Sequence, residues 1–330
     1  MTRLLKNILL ILLPLIVMLS VYLICDPFEV IYTYKTHSLD PRISYNWDYN
    51  QTETLIRNYA ERRYDSFIFG SSRSLAFLCS DWQRYIDSPR TLHYAAQAET
   101  LYGIYKKFTY LSAHHIPIRN SLILLEAGLL AVTWNSSGLL YIKHPDLSGG
   151  SPVDFHLTFF RAFMDPSFFL GYVCYKSTGT IPKLFRNRFN DGQYTDPVTG
   201  DKIRVAWEKS LAENSERYYA NRKGIFYLRD ETRKFYSPQL LNKVQVQYLT
   251  EISRILTANG TNYKVVISPN YDQIYLDRGD LAKLQEIFGP EHVYDYSGIN
   301  DYTRDLHNYY ESSHFRPTVA RQILTEIYRK

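Results

Sequence analysis

The chain has 330 residues, of which 45% are hydrophobic and 22% are charged, and its formal net charge is +5. These fractions are those of a globular protein that can bury a substantial core, in one large domain or two small ones. The modest net charge includes no block of Lys and Arg residues, so no nucleic-acid partner is expected.

The first 25 residues form a predicted membrane anchor. Asn7 to Ile24 are nearly all apolar, and Arg3 and Lys6 precede them. A run of about eighteen apolar residues can just span a bilayer, and the positive flank places the N-terminus in the cytoplasm. Because no small-x-small cleavage site follows, we interpret the run as an uncleaved, single-pass anchor in the inner (cytoplasmic) membrane. The residues after about Asp26 are then expected on the extracytoplasmic side.

Residues 26–64 are predicted to be a linker followed by a first helix. Asp26 to Asn50 is rich in Pro, Asp, Tyr and Asn and lacks periodicity, which is typical of an extended connection. Thr52 to Arg63 carries apolar residues at helical spacing. We therefore expect the folded domain to occupy residues 65–330.

Residues 65–330 show the alternation of an α/β domain. Continuous apolar strands between helices indicate a parallel sheet covered on both faces, so we predict a three-layer α/β/α fold with about five parallel strands. The predicted strands begin near Ser66, Thr91, Ser121, Tyr263 and His292. The main helices are predicted over residues 101–111, 240–256, 281–288 and 318–328.

The alternation breaks down from about 133 to 236, and we interpret this region as an insertion in the domain. Loop signals and aromatic residues dominate it, and Asp196 to Gly200 predicts a turn within a hairpin. The region is too long to be one structureless loop.

The cysteines and histidines suggest neither a cofactor nor a metal. Cys79 and Cys174 could form a disulfide outside the cytoplasm or remain two free buried thiols, and the sequence favours neither. The histidines are scattered and lack Cys/His ligand spacing, so we expect no metal site.

A short strand that ends in three serines is the first motif with chemical content. The β-prone run 66–69 stops at Gly70, and Ser71, Ser72 and Ser74 follow. A Ser on such a turn lies at the carboxyl end of a strand and at a helix N-terminus, where backbone N–H groups stabilise developing negative charge. The alternative interpretation is that these serines only cap the following helix.

A second motif lies between the last predicted strand and the last helix. His314 stands three residues after Glu311 on that loop. In a parallel sheet this loop and the Gly70 turn emerge at the same edge. A Ser, a His and a carboxylate then converge, which is the arrangement that deprotonates a hydroxyl for attack on an acyl carbon. His307 is the competing candidate for the base.

Together the two motifs resemble those of the SGNH (GDSL-type) hydrolase superfamily. Gly70-Ser-Ser72 is similar to the Gly-Asp-Ser block of that family, and Glu311-Ser-Ser-His314 is similar to its C-terminal Asp-x-x-His block. The resemblance implies a flavodoxin-like SGNH fold over most of residues 65–330. It also implies that Ser72 is the nucleophile, that His314 is the general base and that Glu311 orients His314.

The oxyanion-binding blocks of the family are altered in this chain. Residues 94–99 contain no Gly, so we expect the backbone N–H of Ser72 and that of Ala98, or alternatively of its neighbour Glu99, to hold the oxyanion. Leu130 stands where the family has a donor Asn, and loss of one such donor costs roughly two to three orders of magnitude in rate in other enzymes. Glu126, at the end of a central strand, is expected to make a structural hydrogen bond.

The resemblance is greatest to the membrane-anchored, extracytoplasmic branch of the superfamily. This branch includes relatives of the D-alanyl-lipoteichoic acid assembly protein and of the alginate O-acetylation proteins. It implies a serine acyl transferase or esterase that acts on O-acyl groups of a cell-envelope polysaccharide, with a membrane-bound acyltransferase as a candidate partner.

The arginines beside the two motifs are candidate substrate ligands. Arg73 and Arg316 flank the predicted site and are expected to bind an anionic polymer, although a solvated charge or a local salt bridge explains them equally well. The alternative function is a non-catalytic envelope protein of the same fold that binds a polysaccharide or a membrane acyltransferase.

Overall fold

A central five-stranded parallel sheet organises the protein. The computed structural model describes residues 2–34, 40–190 and 193–329. The sheet has the strand order β2-β1-β3-β6-β7, and all four neighbouring pairs are parallel. The strands are β1 (Ser66–Phe69), β2 (Thr91–His93), β3 (Asn120–Leu125), β4 (Tyr194–Thr195), β5 (Lys202–Ile203), β6 (Asn262–Ile267), β7 (Val293–Asp295), β8 (Tyr309–Glu311) and β9 (His314–Phe315).

The predicted parallel sheet of about five strands is confirmed. Each strand of the sheet begins within one residue of the predicted position. Strands β1 and β3 are buried throughout because their continuous apolar sequences face covered layers on both sides. Phe67 and Phe69 pack into the core on one face, while Ile68 points into the core on the other.

Helices cover both faces of the sheet, as a three-layer α/β/α fold requires. Helices α4 and α11 supply the first core, and α14 packs over the second. The helices are α1 (Thr2–Cys25), α2 (Trp47–Arg62), α3 (Cys79–Trp82), α4 (Leu101–Ala113), α5 (Ala127–Leu130), α6 (Pro145–Ser148), α7 (Pro152–Phe163), α8 (Pro166–Thr178), α9 (Val205–Glu213), α10 (Ser215–Ala220), α11 (Lys243–Ala258), α12 (Arg278–Phe288), α13 (Asp301–Arg304) and α14 (Pro317–Ile327).

The segment after the serine turn differs from the single helix that its apolar spacing predicts. A 3-10 helix over Ser72–Ala76 comes first, and α3 begins separately at Cys79. Leu78 is extended, and the N–H of Cys79 donates to Asp201 Oδ2 at 2.9 Å. The break exists because a distant carboxylate supplies the hydrogen bond that an uninterrupted helix would have made internally.

The predicted membrane span, Asn7 to Ile24, lies within helix α1. Among the described residues, no helix combines the length and the apolar character needed to cross a membrane.

The segment predicted to be an extended connection packs against the rest of the protein. Phe28, Val30 and Ile43 are buried against aromatic residues of α7 and α8 in the insertion. Residues 35–39 of this segment lie outside the described residues. The helix predicted over 52–63 begins earlier, at Trp47, because Asn46 caps it by accepting the Tyr49 N–H.

The insertion folds into helices and a small hairpin that docks on the sheet edge. Strands β4 and β5 pair antiparallel across the predicted 196–200 turn. The carbonyl of Thr199 accepts the N–H of His93 on edge strand β2 at 2.7 Å, and the carbonyl of Val198 accepts the Tyr64 hydroxyl at 2.6 Å. These bonds place the residue after the turn, Asp201, near the serine turn at 70–74, where it accepts the N–H of Cys79.

Candidate active site

The three serines after strand β1 have different partners. Gly70, with φ of +154°, brings the chain within close contact of Leu124 on β3, where no larger residue fits without movement. Ser71 caps the 3-10 helix by accepting the Arg73 N–H, and its hydroxyl donates to Glu126 at 2.6 Å. Ser71 therefore caps the 3-10 helix, and the side chain of Ser72 is available to contact His314.

The structure brings Ser72, His314 and Glu311 into one hydrogen-bonded chain. His314 Nε2 lies 2.8 Å from Ser72 Oγ, and His314 Nδ1 contacts Glu311 Oε1. Strands β8 and β9 pair Glu311 directly with His314, and Glu311 Oε2 also accepts the Ser313 N–H at 2.8 Å. With Nδ1–H donating to the carboxylate, Nε2 is free to accept the Ser72 proton. The catalytic roles of the three residues stay predictions.

The charge states around His314 suit a general base. Burial lowers the pKa of His314, the hydrogen bond to Glu311 opposes this shift, and the positive charge of Arg204 lowers the pKa further. Burial alone would raise the pKa of Glu311, but the hydrogen bond to and charge of His314, the Ser313 N–H and the charge of Arg204 together outweigh it, and the pKa is lowered. At neutral pH the imidazole is therefore uncharged and the carboxylate that orients it is ionised.

A cavity of about 570 Å³ opens beside Ser72 and His314. It lies where the loops after β1 and β3 diverge, the position at which open α/β sheets bind ligands. Ala98 and Glu126 also line this cavity. Ala98 has φ of +46°, a left-handed conformation that Gly adopts without strain and that a residue with a side chain adopts only rarely.

A second, smaller cavity of about 40 Å³ lies on another side of the same two residues, Ser72 and His314. Lys202 and Arg204 line it. Lys202 Nζ lies 4.7 Å from the centre of the Trp47 ring, and burial followed by the nearby Arg204 charge lowers its pKa to about 8. Sequence reasoning missed both cations because they belong to the insertion and no local motif marks them.

The two arginines predicted to bind substrate are engaged within the protein. Arg73 forms an ion pair with Glu126, and its Nε donates to the Ser313 carbonyl at 3.0 Å. Arg316 pairs with Glu208 at 3.2 Å. These contacts match the local-salt-bridge interpretation, although Arg73 also lines the larger cavity. A role in substrate binding stays a prediction for both.

Leu130 gives the cavity no polar group. It belongs to α5, has no exposed surface and packs in the core beneath the sheet. Glu126 lines the cavity instead, and its carboxylate is neutralised by Arg73 and bonded by Ser71. The expected structural hydrogen bond of Glu126 is present. His307, the competing base, donates from Nδ1 to Asp305 Oδ1 at 2.8 Å and is not in the Ser72 chain.

A buried polar cluster beside the serine turn at 70–74 was not predicted. Cys79, His93 and Asp201 offer potential ligand atoms within 4.8 Å of one another. Both Cys79 and Cys174 are free thiols and form no disulfide, but only Cys79 is buried, whereas the alternative to a disulfide had both thiols buried. The cluster escaped sequence reasoning because His93 and Asp201 are 108 residues apart.

Comparisons with known proteins give no relative: no protein-family model matches the chain, and neither a curated protein nor a solved structure does.

Proposed function

We propose that the protein is a serine acyl transferase or esterase of the flavodoxin-like SGNH fold that acts on O-acyl groups of a cell-envelope polysaccharide. The observation that supports this proposal best is the hydrogen-bonded chain Ser72–His314–Glu311 at the edge of an open cavity of about 570 Å³. Each residue lies in contact range for its role, and His314 is uncharged at neutral pH because burial lowers its pKa.

The reaction begins with attack by Ser72. As its Oγ bonds to the acyl carbon, His314 Nε2 takes the hydroxyl proton and Glu311 stabilises the imidazolium. The carbonyl oxygen becomes an oxyanion held by the backbone N–H groups of Ser72 and Ala98. The ester C–O bond then breaks, His314 returns the proton to the departing alcohol, and the acyl group remains on Ser72.

The second half of the reaction decides between the two activities. Water or a sugar hydroxyl gives its proton to His314 Nε2 and attacks the acyl carbon on Ser72. Water yields the free acid of an esterase, and a sugar hydroxyl yields the new ester of a transferase. The larger cavity has the size for a sugar, and the smaller one of about 40 Å³ suits a short acyl group.

The location in the cell envelope and the single-pass anchor over residues 7–24 stay predictions from the sequence, as does a membrane acyltransferase partner. Separating membranes from soluble extract and probing for the full chain tests the location. Recovery in the soluble fraction would contradict the anchored form of the proposal.

Labelling of the full chain with a fluorophosphonate probe tests the catalytic proposal. We expect the wild type to label, and both Ser72→Ala and His314→Ala to lose labelling. Ser136→Ala is the matched control because Ser136 lines the same cavity, and it should label like the wild type. A folded wild type that does not label would favour the non-catalytic binding protein instead.

A further inference from the structure

A second Ser-His-Asp chain lies behind the candidate nucleophile. Ser74 Oγ is 2.9 Å from His93 Nε2, and His93 Nδ1 is 2.9 Å from Asp201 Oδ1. The other carboxylate oxygen of Asp201 accepts the Cys79 N–H at 2.9 Å. Ser74 and His93 have no exposed surface, and Asp201 is 5% exposed. No substrate reaches Ser74, so this chain is not a second active site despite its composition.

The buried chain ends on the peptide group that precedes the nucleophile. The carbonyl of Ser71 accepts two hydrogen bonds from Ser74, one from its backbone N–H at 2.9 Å and one from its hydroxyl at 2.7 Å. That carbonyl belongs to the same planar peptide unit as the N–H of Ser72. Fixing the direction of the Ser71 carbonyl therefore fixes the direction of the Ser72 N–H, the expected oxyanion donor.

The protons in this chain constrain one another. The Ser74 hydroxyl has a single hydrogen, and when it donates to the Ser71 carbonyl, its contact with His93 needs a proton on Nε2. The contact with Asp201 then needs a second proton on Nδ1. The backbone N–H of Ser74 donates to the Ser71 carbonyl at 2.9 Å whichever acceptor the hydroxyl hydrogen takes, so the Ser71–Ser72 peptide is held in either case.

A hydrogen-bonded role fits this cluster better than a metal site. Both ring nitrogens of His93 have hydrogen-bond partners, Ser74 and Asp201, and a metal ion on either nitrogen would have to replace that bond.

We propose that Ser74, His93 and Asp201 form a tether through which the insertion orients the Ser72 N–H for oxyanion binding. The insertion supplies Asp201, and the tether is completed only when the 196–200 turn docks on β2. The three are positioning residues that act through the Ser71–Ser72 peptide. This inference rests on the proposed function of Ser72.

Two nearly isosteric variants of the full chain test the tether. Ser74→Ala removes the hydroxyl, and Asp201→Asn keeps the shape but sets an amide NH₂ against one of the two N–H groups that Asp201 accepts. Ser121→Ala is the matched control, because Ser121 is a fully buried serine whose hydroxyl has no hydrogen-bond partner among the described residues. Rates of fluorophosphonate labelling, kcat and KM on a nitrophenyl ester, and metal content are measured for each.

A Ser72 N–H that points in the wrong direction should lower the rate by less than the complete loss of an oxyanion donor would. We therefore expect the labelling rate and kcat to fall about 10- to 100-fold in Ser74→Ala and Asp201→Asn, with KM unchanged. The double variant should be no slower than the slower single one, because both changes break one chain. Ser121→Ala should stay within about twofold of the wild type. The tether would be overturned if Ser74→Ala and Asp201→Asn had the same rates as Ser121→Ala, or if their effects added fully in the double variant. Stoichiometric zinc in the wild type that is lost in Cys79→Ser would also overturn it.

A separate measurement keeps the tether distinct from the proposed function. If the folded wild type shows no labelling, the catalytic proposal fails, and hydrogen exchange of the 70–77 segment then tests the tether alone. The Ser74 amide, bonded to the Ser71 carbonyl, should exchange faster in Asp201→Asn than in the wild type and in Ser121→Ala. Equal protection in all three proteins would refute the tether.

Discussion

Changing Glu311 to Gln tests whether this carboxylate sets the proton positions on His314. Each oxygen of Glu311 accepts one N–H group: Oε1 faces His314 Nδ1, and Oε2 accepts from Ser313 at 2.8 Å. A glutamine has one acceptor oxygen and one NH₂ group, so it satisfies only one of these two donors. The structure therefore allows two arrangements of Glu311→Gln, and both are worse than the wild type.

The two arrangements set the expected size of the effect. With the amide oxygen on Ser313, the NH₂ group donates to His314 Nδ1 and moves the imidazole proton to Nε2, where it blocks proton transfer from Ser72. The corresponding change in another triad costs about 10⁴ in kcat. With the oxygen on His314, the NH₂ group opposes the Ser313 N–H, which costs about 1–3 kcal/mol. We expect the first arrangement to dominate and the rate to fall by about 10³ to 10⁴.

The assay is the fluorophosphonate labelling rate of Glu311→Gln beside Glu311→Asp, measured at one pH and with folding checked by circular dichroism. Glu311→Asp keeps the charge and both acceptor oxygens, so we expect it to retain more activity than Glu311→Gln. A Glu311→Gln rate within about threefold of the wild type would refute the orienting role, since the wrong tautomer is inactive.

Three further predictions follow from the same geometry. The wild-type labelling rate should fall on the acid side with a midpoint below pH 6.5, because burial lowers the pKa of His314 and only the uncharged imidazole accepts a proton; a midpoint above 6.5 contradicts this. Ala98→Gly should change the free energy of unfolding in urea by less than about 1 kcal/mol, because relief of the left-handed strain offsets the added entropy of the unfolded chain. Ala98→Val should destabilise the protein more. Equal effects of the two variants would count against a strained Ala98. Lys107→Met should lower the free energy of unfolding by about 3–5 kcal/mol in the same measurement, because Lys107 is fully buried between Asp48 at 2.7 Å and Glu99 at 2.5 Å. The control is the neighbouring variant Lys106→Met. A loss in Lys107→Met no larger than in this control would show that the ion pairing adds nothing to stability.

Local sequence signals predicted the position of the sheet and the convergence of the candidate triad. Strand β3 is a continuous apolar run and was placed within one residue, because a strand buried on both faces leaves that pattern. The convergence of Ser72 with His314 followed from chain order alone, since the ends of parallel strands share an edge. No detail of side-chain packing was needed for either prediction.

Features set by distant contacts were not predictable in this way. The helix after Ser72 is interrupted because Asp201, far along the chain, bonds the Cys79 N–H. For Arg73 the sequence left substrate binding and a local salt bridge as alternatives, and only the structure shows that Glu126, on the neighbouring strand end, pairs with it. Such contacts depend on which loops meet in three dimensions, and neither periodicity nor spacing records them.

The predicted connection over 26–50 illustrates a composition that misled. Its Pro, Asp and Tyr content is typical of a loop, yet Phe28 and Trp47 are buried. Isolated aromatic residues without periodicity give no sequence signal of burial, because they are buried only when another surface packs against them. For Phe28 that surface is the insertion.

Trapping the covalent intermediate tests the central claim most directly. The full chain is mixed with a nitrophenyl acetate ester, quenched in acid and digested, and the peptides are sequenced by mass spectrometry. The account predicts one acetyl group on Ser72, absent in Ser72→Ala and in His314→Ala. An unmodified Ser72 in a protein that hydrolyses the ester, or an acetyl group on another residue that survives in Ser72→Ala, would contradict it.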